Sequence, residues 1–361
     1  MVAPFVHDVP ASRVVFANGS LARVADELER LNCRRTVLVA GGPEAVYADI
    51  VAELLGPTVV ARFSDVVMHV PIAVAQQVVD VARTSEADSV IAVGGGSSIG
   101  AAKAVAKEMG LPILAIPTTY AGSEMTPIWG LTEGNRKTTG RDPKVLPRTV
   151  LYDPELTVSL PPAISAASGM NALAHLVEGL YAPGLSPISA LQAEEGVRAL
   201  ASALPRVVED PADLSARGDA LYGAWLAGWT LGTTGMGVHH KICHTLGGAF
   251  DLPHAPTHSA VLPYATAFNE AAAPEAMAAI TRALAAAGMS DESAAAGLWR
   301  LADRIGAPTS LKEVGFTPSM VDEAAEIVVA AQPINPRPVD LDGTRALLLA
   351  AYDGTKPGAW E

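Results

Sequence analysis

Cysteine is nearly absent from this chain. Only Cys33 and Cys243 occur, far apart in sequence, so no disulfide framework is expected and a reducing, cytoplasmic compartment fits. Charge is also scarce. Asp, Glu, Lys and Arg make up 17% of the 361 residues, and the balance is −13. That shortage of positive charge argues against nucleic acid and anionic membrane as partners. No apolar run is long enough to span a bilayer, and MVAPFVHDVPASR lacks the basic segment and apolar stretch of an export leader. Tandem repeats and low-complexity tracts are missing too. Half of the residues are hydrophobic, the composition of a compact folded enzyme rather than a disordered chain. At this length two domains are expected.

The first third alternates strand and helix. Apolar runs at 13–17, 36–40 (TVLVA), 59–63, 89–93 (SVIAV) and 113–116 read as strands. Helical patterns fall between them, from Ser20 as a cap to Leu31, through Val46 and Leu54, over 72–85, and through Lys103 to Met109. Such runs separated by helices predict a parallel sheet covered on both faces. Beyond about Asp153 strand patterns fade. Helices are expected over 168–180, 191–203, 214–232, 239–245, 276–287, 293–305, 318–331 and 341–352, with Thr317-Pro318 as a helix start. The expected division is an α/β dinucleotide-binding domain over 1–156 and an α-helical catalytic domain over 157–361.

Two places carry chemistry. Gly94-Gly95-Gly96-Ser97 follows a buried strand and opens a helix. Glycines there admit a pyrophosphate, and the helix start offers free N–H groups. The next strand ends in Pro117-Thr118-Thr119, beside it in an open α/β sheet. Gly41 and Gly42 close the TVLVA strand with no acid to select against a 2′-phosphate, which leaves room for NADH or NADPH. The second place is VHHKICHTLGGAFDLPHAPTH, which holds five of the eight histidines. His240 and His244 are four apart and share a helical face. Gly247-Gly248 is expected to break that helix, and Pro253 to set His254 on a turn. Asn171 and His175 share a face of an earlier helix. Imidazoles so gathered suit proton transfer or metal ligation near neutral pH. Arg136, Lys137, Arg141 and Lys144 form a basic patch in GNRKTTGRDPK, expected between the two domains.

GGGS after a strand, PTT…GSE, an N-x3-H helix and HHKICH…PHA together resemble the iron-containing alcohol dehydrogenase superfamily over nearly the whole chain. Within it, HHKICHTLGG…LPHAPTH is similar to the maleylacetate reductases. The resemblance implies a Rossmann-like parallel-sheet domain followed by an all-α domain, as in dehydroquinate synthase. It implies NAD(P)H-dependent reduction of the conjugated C=C bond of maleylacetate to 3-oxoadipate in aromatic-compound degradation, in an interdomain cleft. It also places Lys137 at the nicotinamide ribose. One departure stands out: metal-dependent members carry Asp where this chain has Asn171. An amide offers a divalent ion only a dipole, so Asn171, His175, His240 and His254 are expected to be a vestigial metal site, with no metal required. His244 is the expected proton donor, with His175, His240 and His254 lining the site. Asn171, Lys241 and Arg136 are the expected contacts to a small dicarboxylate. A homodimer is expected. The alternatives are a metal-dependent alcohol or polyol dehydrogenase of the same superfamily, a redox-neutral lyase or cyclase on the same scaffold, and a nucleotide-binding module without catalysis.

Overall fold

A computed structural model describes residues 5, 7, 11–68, 70–134 and 136–358. His69, to which no role was given, lies outside them, as do the side chains of Arg136 and Lys137. The chain divides into two compact units, Val9–Leu160 and Pro161–Glu361. His7 goes with the second, its Nδ1 lying 3.0 Å from Ser186 Oγ. The division falls past the 156/157 boundary read from sequence. The turn Pro154–Thr157 still belongs to the first unit because Leu156 is buried in that unit's core.

The first unit is a six-stranded, all-parallel sheet. Its strands are β1 (Arg13–Phe16), β2 (Thr36–Ala40), β3 (Val59–Phe63), β4 (Ser89–Gly94), β5 (Ile113–Pro117) and β8 (Thr149–Tyr152), in the order β1-β8-β5-β4-β2-β3. Strands β2, β4, β5 and β8 are buried at every residue, as both faces of a parallel sheet require. Helices α1 (Val24–Arg30), α2 (Ala45–Leu55), α3 (Ile72–Thr84) and α4 (Gly96–Met109) connect them. Strand β8 was not foreseen. Its four residues sit beside Asp153, where the pattern was read as a boundary. The stretch GNRKTTGRDPK, read from sequence only as a basic patch, carries a strand. Arg136–Arg141 forms β7 and pairs antiparallel with β6 (Ile128–Glu133), turning at Gly134 with φ of 55°. Ser20 is not a cap. Gly19, left-handed at φ 71°, starts the turn, and the Ser20 hydroxyl instead donates to the Tyr152 carbonyl at 3.0 Å.

The second unit is helical: α5 (Pro162–Gly179), α6 (Pro187–Glu209), α7 (Leu214–Thr233), α8 (Val238–Phe250), α9 (His254–Asn269), α10 (Pro274–Ala286), α11 (Ala294–Arg304), α12 (Val321–Ala330) and α13 (Leu341–Asp353). Helix α5 is its axis, buried continuously from Ser165 to Gly179 and packed by α6, α7 and α9. Gly196 permits the approach of α6, since an added Cβ would lie 2.7 Å from Leu176 Cδ2. Helix α8 shows Val238, Ile242 and Leu246 to the core shared with α9, α12 and α13. Burying each such side chain contributes about 1.5–3 kcal/mol, which fixes the opposite, histidine-bearing face.

Candidate active site

Helix α8 starts at Gly237, where a side chain would collide. An added Cβ would lie 3.0 Å from both Glu178 Oε1 and Asn335 Oδ1. Those two side chains cap the helix. The His239 N–H donates to Glu178 Oε1 at 2.8 Å, the His240 N–H to Glu178 Oε2 at 3.3 Å, and the Val238 N–H to Asn335 Oδ1 at 3.3 Å. A carboxylate at a helix N-terminus also meets the positive end of the dipole. The same Glu178, fully buried, receives His240 Nδ1 at 2.5 Å. That contact leaves His240 Nε2 as the outward-facing nitrogen. Glu178 was missed in the sequence. Its signal was its place at the third residue after His175, on the helical face that carries Asn171 and His175.

The structure brings His175, His240, His244 and His254 together. The His175 and His240 rings stack with centroids 5.0 Å apart. The His240 and His244 centroids are 5.9 Å apart, and those of His244 and His254 are 6.2 Å apart. His254 corrects the sequence reading: it is the first residue of α9, not a turn residue, and α8 continues through Gly247-Gly248 to Phe250. Asn171 lies one turn before His175 on α5. Lys241 is half-buried on α8, about 100° around the helix from His240. Burial, followed by repulsion from His240 and His254, holds the His175 imidazole well below its usual pKa. Asn171 Oδ1, His175 Nδ1 and His240 Nε2 are buried with no hydrogen-bond partner. Buried polar atoms are rarely left so.

The first unit gathers a different set. Gly94 ends β4 with φ of 137°, and an added Cβ would lie 2.5 Å from Ser98 Oγ. Gly95 caps α4 without any side-chain hydrogen bond, so the first turn of α4 keeps its N–H groups open. Thr118 N–H donates to the Gly94 carbonyl at 3.3 Å, and an added Cβ on Gly95 would lie 3.0 Å from Thr119 Cγ2. Gly94, Gly95, Thr118 and Thr119 therefore adjoin, with Gly96 and Ser97 in the first turn of α4. Gly42 opens the turn Gly42–Glu44 after β2. Sequence reasoning missed Glu44, because it does not close the strand itself. Its Oε2 lies 3.1 Å from where a Gly41 Cβ would be, and its Oε1 accepts from Thr118 Oγ1 at 3.4 Å. Burial raises its carboxyl pKa.

Residues 11–154 match the family model described as iron-containing alcohol dehydrogenase, and residues 165–352 match its C-terminal counterpart. The chain belongs to the iron-containing alcohol dehydrogenases. It is 51% identical to the maleylacetate reductase of Sphingobium indicum, over 98% of this chain and 99% of that one. The crystal structure of maleylacetate reductase from Agrobacterium tumefaciens superposes with a TM-score of 0.94 at 44% identity, covering 98% of this chain and 100% of the other. The iron-containing alcohol dehydrogenase from Corynebacterium glutamicum superposes with a TM-score of 0.93 at 47% identity, covering 98% of each.

Family membership overturns the expectation that no metal is required. The side chains fit an ion. Asn171 Oδ1 and the nitrogens of His175 and His240 are buried donors without partners, and Glu178 orients His240 as a carboxylate orients a ligating imidazole. An ion would give those atoms the partner they lack. Imidazole and carbonyl donors suit a borderline divalent metal.

Proposed function

We propose that this chain is an NAD(P)H-dependent reductase that converts maleylacetate to 3-oxoadipate. The observation that carries the reading is the 51% identity, end to end, with a maleylacetate reductase. The dinucleotide lies on Gly94, Gly95, Gly96 and Ser97, against Thr118, Thr119, Gly41 and Gly42. The cofactor supplies a hydride to the alkene carbon β to the ketone. Negative charge then grows on the ketone oxygen, where preorganised donors are worth most. His175, His240, His254 and Asn171 would face that oxygen through the ion they hold. Iron held by the same four residues would supply Lewis acidity there. His244 delivers a proton to the carbon beside the ketone, and Lys241 holds a carboxylate. No described helix is long and apolar enough to cross a membrane, and both cysteines are free and buried. A cytoplasmic homodimer is part of this reading, the dimer to be checked by light scattering.

The test is maleylacetate-dependent oxidation of NADH, with 3-oxoadipate identified as product. Absence of that reaction, with an alcohol driving reduction of NAD+ instead, would move the activity to alcohol oxidation, which the likeness to the Corynebacterium glutamicum protein favours.

A further inference from the structure

His239 and His258 are used by none of the chemistry above, yet both are fully buried inside the imidazole cluster. His258 lies on α9, one turn after His254. Its ring centroid is 4.4 Å from that of His254 and 4.8 Å from that of His240. His258 Nδ1 and His239 Nε2 are 2.9 Å apart, a hydrogen bond that needs one proton between them. The far nitrogens, His258 Nε2 and His239 Nδ1, are buried without partners.

We propose that His258 is a metal ligand of this chain, replacing the donor strength lost where Asn171 stands for a carboxylate, and that His239 orients it. The arrangement repeats that of His240. There, Nδ1 is tied to Glu178 and Nε2 is left open. With the shared proton on His258 Nδ1, its Nε2 keeps a lone pair for an ion. Donor atoms of His239, His240 and His258 lie within 4.8 Å of one another. Two imidazole nitrogens each about 2.1 Å from one ion can be at most about 4.2 Å apart, so an ion shared by His240 and His258 requires their nitrogens to close to within that distance. A purely structural pair is the competing account. It satisfies one nitrogen of each ring and leaves the other two buried and unpaired, which is unfavourable. An ion answers that cost for His258.

The inference rests on the family's metal, not on the identity of the substrate, and its test needs no turnover. The chelator-stripped protein is titrated with cobalt(II), read by its ligand-field absorption and by competition with a chromogenic chelator. The expected results are one cobalt per chain, binding weakened more than about 100-fold with an altered spectrum in His258→Asn, and weakened about tenfold in His239→Gln, the usual range for an orienting partner. His258→Gln is measured alongside, with circular dichroism to confirm that each variant folds. Wild-type affinity and spectrum in a folded His258 variant overturn the proposal. So does a wild-type chain that binds no cobalt. Maleylacetate reduction by the same sample then judges the functional reading separately.

Discussion

Each unit buries a polar knot, and the two are finished differently. In the α/β unit, Lys103 on α4 is 1% exposed and Glu124 is fully buried. Lys103 Nζ donates to the carbonyls of Ser123, Thr126 and Ile128 at 2.7, 2.9 and 2.6 Å and contacts Thr126 Oγ1 at 3.0 Å. Glu124 Oε1 accepts from the Tyr152 hydroxyl at 2.7 Å. Every proton of the ammonium is spoken for. In the helical unit the imidazoles are buried as deeply, yet His175, His239, His240 and His258 each keep one nitrogen unpartnered. A nearly closed knot, in which only Glu124 Oε2 lacks a partner, spends its hydrogen bonds on shape, here holding the chain from Ser123 into β6. An open one holds its atoms ready for something not yet bound. Substitutions in the first should therefore change stability, and substitutions in the second should change chemistry.

The largest effect is expected at His244. If it protonates the carbon beside the ketone, His244→Ala lowers kcat by about 10²–10⁴-fold while the denaturant midpoint hardly moves. Dihydronicotinamide binding, followed by fluorescence, should be retained, since that site is built from residues of the other unit. A raised KM with kcat intact would show instead that His244 only holds substrate.

Lys103→Met should do the reverse, costing about 3 kcal/mol of stability through three buried carbonyls left without a donor. The difference should depend on pH in a set direction. Burial pulls the Lys103 pKa from 10.5 down to about 7, against the pull of Glu124. Between those values the unfolded chain binds more protons than the folded one, so wild-type stability rises with pH across that window and is flat with respect to this group below it. Urea titrations from pH 7 to pH 10 should show the gap between wild type and Lys103→Met widening. A constant gap would mean that Lys103 does not titrate inside the fold.

The same contrast decides what could be read before the fold was known. Strands β2, β4 and β5 were legible as apolar runs because both faces of the sheet are covered there. Strand β7 was not, because RKTTGR carries a loop's composition and pairs only with β6. Helix α9 was hidden by Pro253 and Pro256, which read as a turn. Pro253 is in fact the cap, and Pro256 falls in the first turn, where a missing N–H costs nothing. In the site, the histidines announced themselves by spacing. Glu178 and the His239–His258 bond did not, because their partners lie 62 and 19 residues away and only packing brings them together. The metal expectation failed for a related reason: the carboxylate missing at Asn171 was given more weight than the three histidines beside it in the motif, and the open nitrogens of His175 and His240 show only once the chain is packed.

Asn171→Asp sharpens the comparison from the ligand side. A full negative charge at Oδ1 should tighten divalent metal binding by about tenfold or more, since charge counts for more than a carbonyl dipole toward a hard cation. Competition with a chelator of known affinity measures it. Unchanged affinity would show that Asn171 does not face the ion.

The smallest effect has the least usual sign. An open buried nitrogen costs stability, so removing one should return some of it. His175 Nδ1 is buried with no partner, and the residue is 5% exposed on a helix packed on every side. Met is close to His in volume, flexible enough to fill the space, and a good helix former. His175→Met removes the unmatched nitrogen, worth about 1 kcal/mol at the low end for an unsatisfied buried group, and adds apolar contact in its place. The metal-free variant should unfold at slightly higher denaturant than metal-free wild type, while its reductase activity falls. Removing metal from both samples matters, because an ion bound only to the folded wild type would add its own stability and mask the gain. A stability loss of several kcal/mol on His175→Met would show that the imidazole is held by the fold rather than held open in it, and would place His175 with Lys103 on the structural side of the comparison.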